Sequence, residues 1–142
     1  MERTRKSPDK YIASLPDGQR EDMRALDQKI SSVLKGASRV LWEGVFWGGS
    51  EQSIIGYGDM RYQRSSKDSV DWFMVGLAAQ KNYISVYINA TEDKQYVAKK
   101  YGDKLGKVKV GSSSISFKRL ADVELKELMK LVEIANRHLK AQ

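Results

Sequence analysis

The sequence has no cysteine, one histidine, two prolines and no apolar run long enough to cross a bilayer. Each scarcity excludes something. Without thiols there is no disulfide and no thiolate nucleophile, and the sulfur ligands most common in structural zinc sites are missing. A single histidine, His138, rules out a three-histidine metal site, and its place near the end of the last helix leaves no Ser-His pairing to build on. The opening "MERTRKSPDKYIASLPDG" is charged and lacks the apolar core of a secretory signal. No Walker loop or G-x-G-x-x-G fingerprint occurs, and "GGS", "GYG" and "GSSS" are too short to substitute. These absences lead to the expectation of a soluble, cytoplasmic, non-enzymatic protein with no membrane partner and no resident metal or cofactor.

What is present suits one compact domain over residues 1–142. The chain is 41% hydrophobic and 30% charged, and a domain of this size buries roughly 68% of its unfolded surface. The net charge of +7 is unevenly spread. Between Lys94 and Arg119 eight basic residues (Lys94, Lys99, Lys100, Lys104, Lys107, Lys109, Lys118, Arg119) face one acid, Asp103, leaving 17 of each sign elsewhere. Such a segment offers a positive field to phosphate, nucleic acid or an acidic partner; the ordinary alternative is a solvated surface that serves solubility.

Ser7, Pro8 and Asp9 predict an N-cap, a first-turn proline and an early acid opening a short helix through Leu15. Met23, Leu26, Ile30, Val33 and Leu34 recur at helical spacing and predict a longer helix from Asp17 to Lys35, stopped by Gly36. The period then changes. "SIIGYG", "MRYQR", "VDWFMVGLA" and "NYISVYI" predict successive antiparallel strands joined by "SSKDS" and "QKN", and "VLWEGVFWGGS" reads as a strand before them. Asp93 is the expected cap of a helix through Tyr101. Val108 with Val110 and Ile115 with Phe117 predict further short strands, and Asp122 caps a closing helix whose apolar face holds Leu125, Leu128, Met129, Leu131, Val132, Ala135 and Leu139.

The expected fold class is therefore α+β, in two layers: an antiparallel sheet of five to six strands covered on one face by N-terminal and C-terminal helices. In "NYISVYI", Ile84, Val86 and Ile88 alternate with Tyr83, Ser85 and Tyr87, so the aliphatics belong under the helices and the hydroxyl-bearing residues on the opposite face. On that face Tyr57, Tyr62, Trp72, Tyr83 and Tyr87, near Trp42 or Trp47, form either a shallow pocket for a planar or anionic ligand or ordinary cross-strand packing. A second copy of the chain is a candidate to cover it, as a homodimer.

"IIGYGDMRYQR", "GLAAQKNYISVYINA" and "LGKVKVGSSSISFKRLADVELKELMKLV" together resemble the bacterial YdhG-like family, long classed as domains of unknown function. The resemblance runs from "SPDKYIASLP" to the last helix, although "WEGVFWGG" and "VDWF" look like features of one branch. It implies a frataxin-like helix, sheet, helix plan. Because some relatives are described as iron-binding chaperones for iron-sulfur or haem assembly, it also implies iron as a cofactor or cargo. The electrostatics depart from that pattern: iron donors of this kind use clustered carboxylates, and here the acids come as scattered pairs, Glu21 with Asp22 and Glu92 with Asp93.

The ligand-binding candidates are Arg61, after the "YG" turn; Lys81 and Tyr83, at the start of the family-like strand; Lys109 with Ser112, Ser113 and Ser114, which offer an ammonium, backbone N–H groups and hydroxyls to an oxyanion; and the aromatic residues Tyr57 and Trp72. The expected partner is a small anionic molecule or a protein. Nucleic-acid binding through residues 94–119 is a weaker alternative, because no nucleic-acid motif accompanies the charge.

Overall fold

The computed structural model describes residues 1–45, 49–63 and 69–142. Helix α1 (Pro8–Ala13) begins as its sequence dictates, with Pro8 in the first turn and the Ser7 hydroxyl accepting from the Lys10 N–H at 3.2 Å. Helix α2 (Asp17–Val33) turns Met23, Leu26 and Ile30 into the core and ends before Gly36, whose φ of +86° suits a left-handed stop. Strand β1 (Glu2–Arg3) precedes α1. After α2 come β2 (Arg39–Val45), β3 (Glu51–Gln63), β4 (Ser69–Ala79), β5 (Ile84–Ile88), a small hairpin of β6 (Thr91–Glu92) and β7 (Gln95–Tyr96), helix α3 (Val97–Lys100), β8 (Lys109–Val110), β9 (Ser114–Phe117) and helix α4 (Leu125–Ala141).

The fold is α+β, and its main sheet has seven antiparallel strands in the order β1-β2-β3-β4-β5-β9-β8, more than the five to six expected. The first is hidden in charged sequence: β1 pairs through its backbone, with the Thr4 N–H donating to Leu41 O at 2.9 Å, and this needs no apolar side chain. "SIIGYG" and "MRYQR" are also not two strands. They are one 13-residue strand, because Gly58 bends the chain at φ +78° while pairing with β4 continues on both sides, Tyr57 opposite Val75 and Asp59 opposite Phe73. "VLWEGVFWGGS" is strand as far as Val45; its residues 46–48, and residues 65–68 of the "SSKDS" connection, lie outside the described residues.

Two helix starts need correction. Asp93 caps nothing: with Lys94 it forms the two-residue turn between β6 and β7, both at positive φ (52° and 66°), and α3 begins only at Val97. Asp122 ends a 3-10 turn (Leu120–Asp122), and α4 starts behind Glu124.

The sheet separates two clusters of buried side chains. Ile84, Val86 and Ile88 pack with Leu26, Ile30, Leu128, Leu131 and Val132 on the helical side. On the other side Trp42, Ile54, Phe73, Ala78 and Tyr87 form a smaller cluster to which no helix contributes a buried residue. Glycines make room for it. A Cβ on Gly56 would lie 2.7 Å from the Trp42 indole nitrogen, and one on Gly76 would lie 2.5 Å from the Phe73 ring. Trp42 packs edge-on against Trp72 (5.4 Å between ring centroids), and Trp72 stacks on Phe73 at 4.6 Å. The division of "NYISVYI" between a dry aliphatic face and a hydroxyl-bearing face is thus as its alternation implies. Among the described residues no helix is long and apolar enough to cross a membrane.

Candidate anion-binding groove

Strands β8 and β9 form a hairpin with a two-residue loop, Ser112 and Ser113, closed by the Gly111 N–H donating to Ser114 O at 2.9 Å. The register sets Lys109 opposite Ser116 and Tyr87 opposite Ser114. Since Ile115 and Phe117 face the helical core, the pleat turns Ser114, Ser116 and Lys109 to the helix-free side. Next to this hairpin the chain doubles back on itself. The Lys107 N–H donates to Asp122 O at 2.8 Å and the Glu124 N–H to Leu105 O at 2.8 Å, around Gly106, where a Cβ would meet Asp122 O at 2.7 Å. Only a glycine, here at φ +92°, allows this approach.

Two pairs of cations, nine or more residues apart in sequence, are thereby gathered. An open groove of about 980 Å³ is lined by Lys107, Lys109, Lys118 and Arg119, with Gly111, Ser114, Ser116, Phe117, Asp122 and Tyr83 completing its walls. All four cations are exposed, and none takes part in an ion pair among the described residues. Lys100, in the same basic segment, is held differently. Its ammonium bridges Asp93 (2.7 Å) and Glu92 (3.1 Å), and these hydrogen bonds hold its pKa above the usual lysine value. Glu92 is lowered in turn, first by the hydrogen bond from the Tyr101 phenol and then by Lys100. Four basic residues against one acid, Asp122, among the lining residues leave a net positive field in the groove.

A hydrogen-bonded row on the same sheet face leads to the groove. The Gln80 amide donates to Gln52 Oε1 at 2.8 Å and to the Tyr87 phenol at 3.3 Å, the Ser85 hydroxyl donates to Gln80 Oε1, and with that proton committed the Ser116 hydroxyl donates to Ser85 Oγ at 2.9 Å. Ser85 is buried, and this row satisfies it. Burial raises the pKa of the Tyr87 phenol, although its bonds with Gln80 and Ser85 oppose the shift.

Of the residues singled out from sequence, Tyr83, Lys109 and Ser114 line the groove together. Ser112 and Ser113 occupy the hairpin tip beside it, where Ser113 O accepts from the Ile88 N–H at 2.9 Å. Lys81 is exposed in the turn before β5 and is not part of the lining. Arg61 and Trp72 lie elsewhere, around a second depression of about 420 Å³ with Arg3, Asp59 and Asp71, where Arg61 pairs with Asp71 at 3.3 Å. Tyr57 was expected on the aromatic face, but it belongs to the helical core, 2% exposed. Trp47 and the Tyr62 side chain fall outside the described residues.

In the sequence Lys107, Lys118 and Arg119 stand out only as members of the basic segment, and neither Ser116 nor the buried carboxylate Asp27 stands out as a site residue. The first four sit in alternating "KVK" and "SISFKR", and pairing those two segments would have brought them together. Asp27 lies four residues after Met23 and three before Ile30, inside the apolar stripe of α2, and a charge in such a stripe signals a buried partner. Among the described residues no group of three or more metal-ligating side chains occurs. The acids weighed as iron ligands are engaged: Glu21 with Arg24, Asp22 with the Leu120 N–H, and Glu92 and Asp93 with Lys100.

Comparison of the chain with protein-family models, curated proteins and solved structures finds no match in any of the three.

Proposed function

We propose that this protein is a non-enzymatic binding module whose basic groove takes a small anionic ligand. The observation that carries this reading is the set of four cations, Lys107, Lys109, Lys118 and Arg119, none in an ion pair among the described residues, around one open concavity containing the hydroxyls of Ser114 and Ser116. The groove's volume lies in the range of small-molecule clefts. Ammonium and guanidinium donors aimed at one space suit phosphate or carboxylate oxygens, which accept several charge-assisted hydrogen bonds at once. His138 is not among the lining residues, and no histidine base stands beside either serine. The resemblance to the YdhG-like family remains compatible with this reading, but the iron-delivery role described for some of its relatives draws no support from the carboxylate placement.

The test is a melting-temperature and calorimetric titration with pyrophosphate, because a ligand that binds only the native state raises its stability. Binding is expected to weaken about tenfold or more in a Lys109→Ala, Lys118→Ala double variant, since hydrogen bonds to charged groups contribute about 1.5–3 kcal/mol each. Lys81→Ala, outside the groove, should bind as the parent does. Equal affinity in parent and double variant would overturn the proposal, and a response to ferrous iron alone would favour metal delivery instead.

A further inference from the structure

We infer that the groove's ligand carries a planar ring next to its anionic group, as a nucleotide does, and that this ring seats on Tyr83. The inference rests on the anion-binding reading above and adds the chemical class of the ligand. On the helix-free sheet face Trp42, Phe73 and Tyr87 are buried, whereas Tyr83, at the groove wall, is 41% exposed. Its backbone is nevertheless anchored. Tyr83 O accepts from the Gln80 N–H at 2.8 Å and from the Gln19 side-chain amide at 3.3 Å, and that same amide donates to Gln80 O at 2.7 Å. The turn is thus tied to helix α2 while the ring stays in solvent. An exposed ring on an anchored backbone loses little freedom when a second ring stacks on it, the arrangement that makes tyrosine effective in binding sites.

The remaining walls fit the rest of such a ligand. The cations provide for phosphates. The Ser114 hydroxyl has no hydrogen-bond partner among the described residues and keeps its proton for a phosphate or sugar oxygen, while Ser116, whose proton goes to Ser85, keeps lone pairs that can accept from a sugar hydroxyl. A cleft of about 980 Å³ accommodates more than a lone phosphate group.

The test is calorimetry at fixed ionic strength with pyrophosphate and with ADP, GDP, CDP and UDP, on the parent, Tyr83→Ala and Tyr83→Trp. The expected result is that at least one nucleoside diphosphate binds about fivefold or more tighter than pyrophosphate, as base stacking on an aromatic side chain predicts. Tyr83→Ala should lower nucleotide affinity about fivefold more than pyrophosphate affinity, abolishing that advantage, and Tyr83→Trp should keep it. Pyrophosphate binding as tightly as all four nucleotides, or Tyr83→Ala weakening pyrophosphate equally, would overturn the ring inference and leave the anion site standing. Absence of binding by any probe would overturn both readings. An oligonucleotide binding far more tightly than the nucleotides, with steep salt dependence, would overturn the inference in favour of a polymer.

Discussion

The Tyr57 phenol, in the middle of the sheet, donates a 2.6 Å hydrogen bond to Asp27 Oδ1, in the middle of helix α2, and both residues are buried. Arg39 completes the site with a two-point contact on the same carboxylate, Nε to Oδ1 at 3.0 Å and Nη2 to Oδ2 at 2.8 Å, and reaches out to Asp9 beyond α1's first residue. Burial by itself lowers the guanidinium's pKa, but the hydrogen bonds and charges of Asp27 and Asp9 outweigh it and hold Arg39 above its usual value. One carboxylate therefore ties α2 to β2 and β3.

Tyr57→Phe keeps the shape of the core and removes one of the carboxylate's donors, so it should cost about 1 kcal/mol in chemical denaturation. Asp27→Asn should cost more, roughly 2–3 kcal/mol, because it leaves a partly buried guanidinium with only the exposed Asp9 as counter-charge. The Arg39 side chain is 27% exposed, which keeps this figure below that for a fully buried pair. A larger loss for Tyr57→Phe than for Asp27→Asn would show that the phenol, not the ion pair, holds the helix.

Alkaline stability should fall for the same reason. Burial, followed by the nearby Asp27 charge, raises the Tyr57 pKa well above that of a free phenol. Above about pH 10 the unfolded chain releases this proton while the folded one retains it, so the folded state is favoured below pH 10 and loses stability as pH rises from there. Lys100, also raised, adds to the slope. Denaturation midpoints between pH 9 and 11 should decline less steeply in Tyr57→Phe; an unchanged slope would place the proton uptake elsewhere.

Gly58 carries two demands at once. Its φ is +78°, and a Cβ there would stand 2.5 Å from Leu139 Cδ1 near the end of α4. Gly58→Ala should cost about 2–4 kcal/mol, combining left-handed strain with overpacking. In a Leu139→Ala background only the backbone part, about 1–2 kcal/mol, should remain. A double-mutant cycle separates the two.

Gly111 allows a probe of the groove from behind. A Cβ at this position would lie 2.5 Å from the Ser114 hydroxyl oxygen, an atom that can rotate away. Gly111→Ala should leave the melting temperature nearly unchanged and weaken pyrophosphate binding about threefold to tenfold, the loss of roughly one hydrogen bond. Ser114→Ala should weaken it as much, and the pair together no more than either alone. Additive losses would mean that the hydroxyl is not what Gly111 controls.

Most of the elements are legible in the sequence because local chemistry specifies them. Ser7-Pro8 suits a helix start, Gly36 stops one, and the alternation of Ile84, Val86 and Ile88 divides one face of β5 from the other. Features governed by backbone pairing are not: β1 forms in "MERT" without an apolar residue at either of its two positions, and Gly58 reads as a strand break although it only bends β3. Of the groove, the basic segment and Tyr83, Lys109 and Ser114 are visible in advance, while Arg61 and Lys81, chosen for their places in the family-like segments, and Tyr57 and Trp72, chosen as aromatics, do not line it.

By itself, then, the sequence determined the α+β class, the existence of the long helices and central strands, the face of β5 that packs under the helices, and an excess of positive charge confined to one segment, all consequences of short-range periodicity and composition. Tertiary structure alone decided that Lys107 and Lys109 would meet Lys118 and Arg119, that Lys100 would be neutralised by Glu92 and Asp93, and that Tyr57 would turn inward to Asp27. Those outcomes depend on strand register and, for the groove, on the close backbone approach at Gly106, and register follows from the packing of the whole sheet rather than from any short stretch of residues.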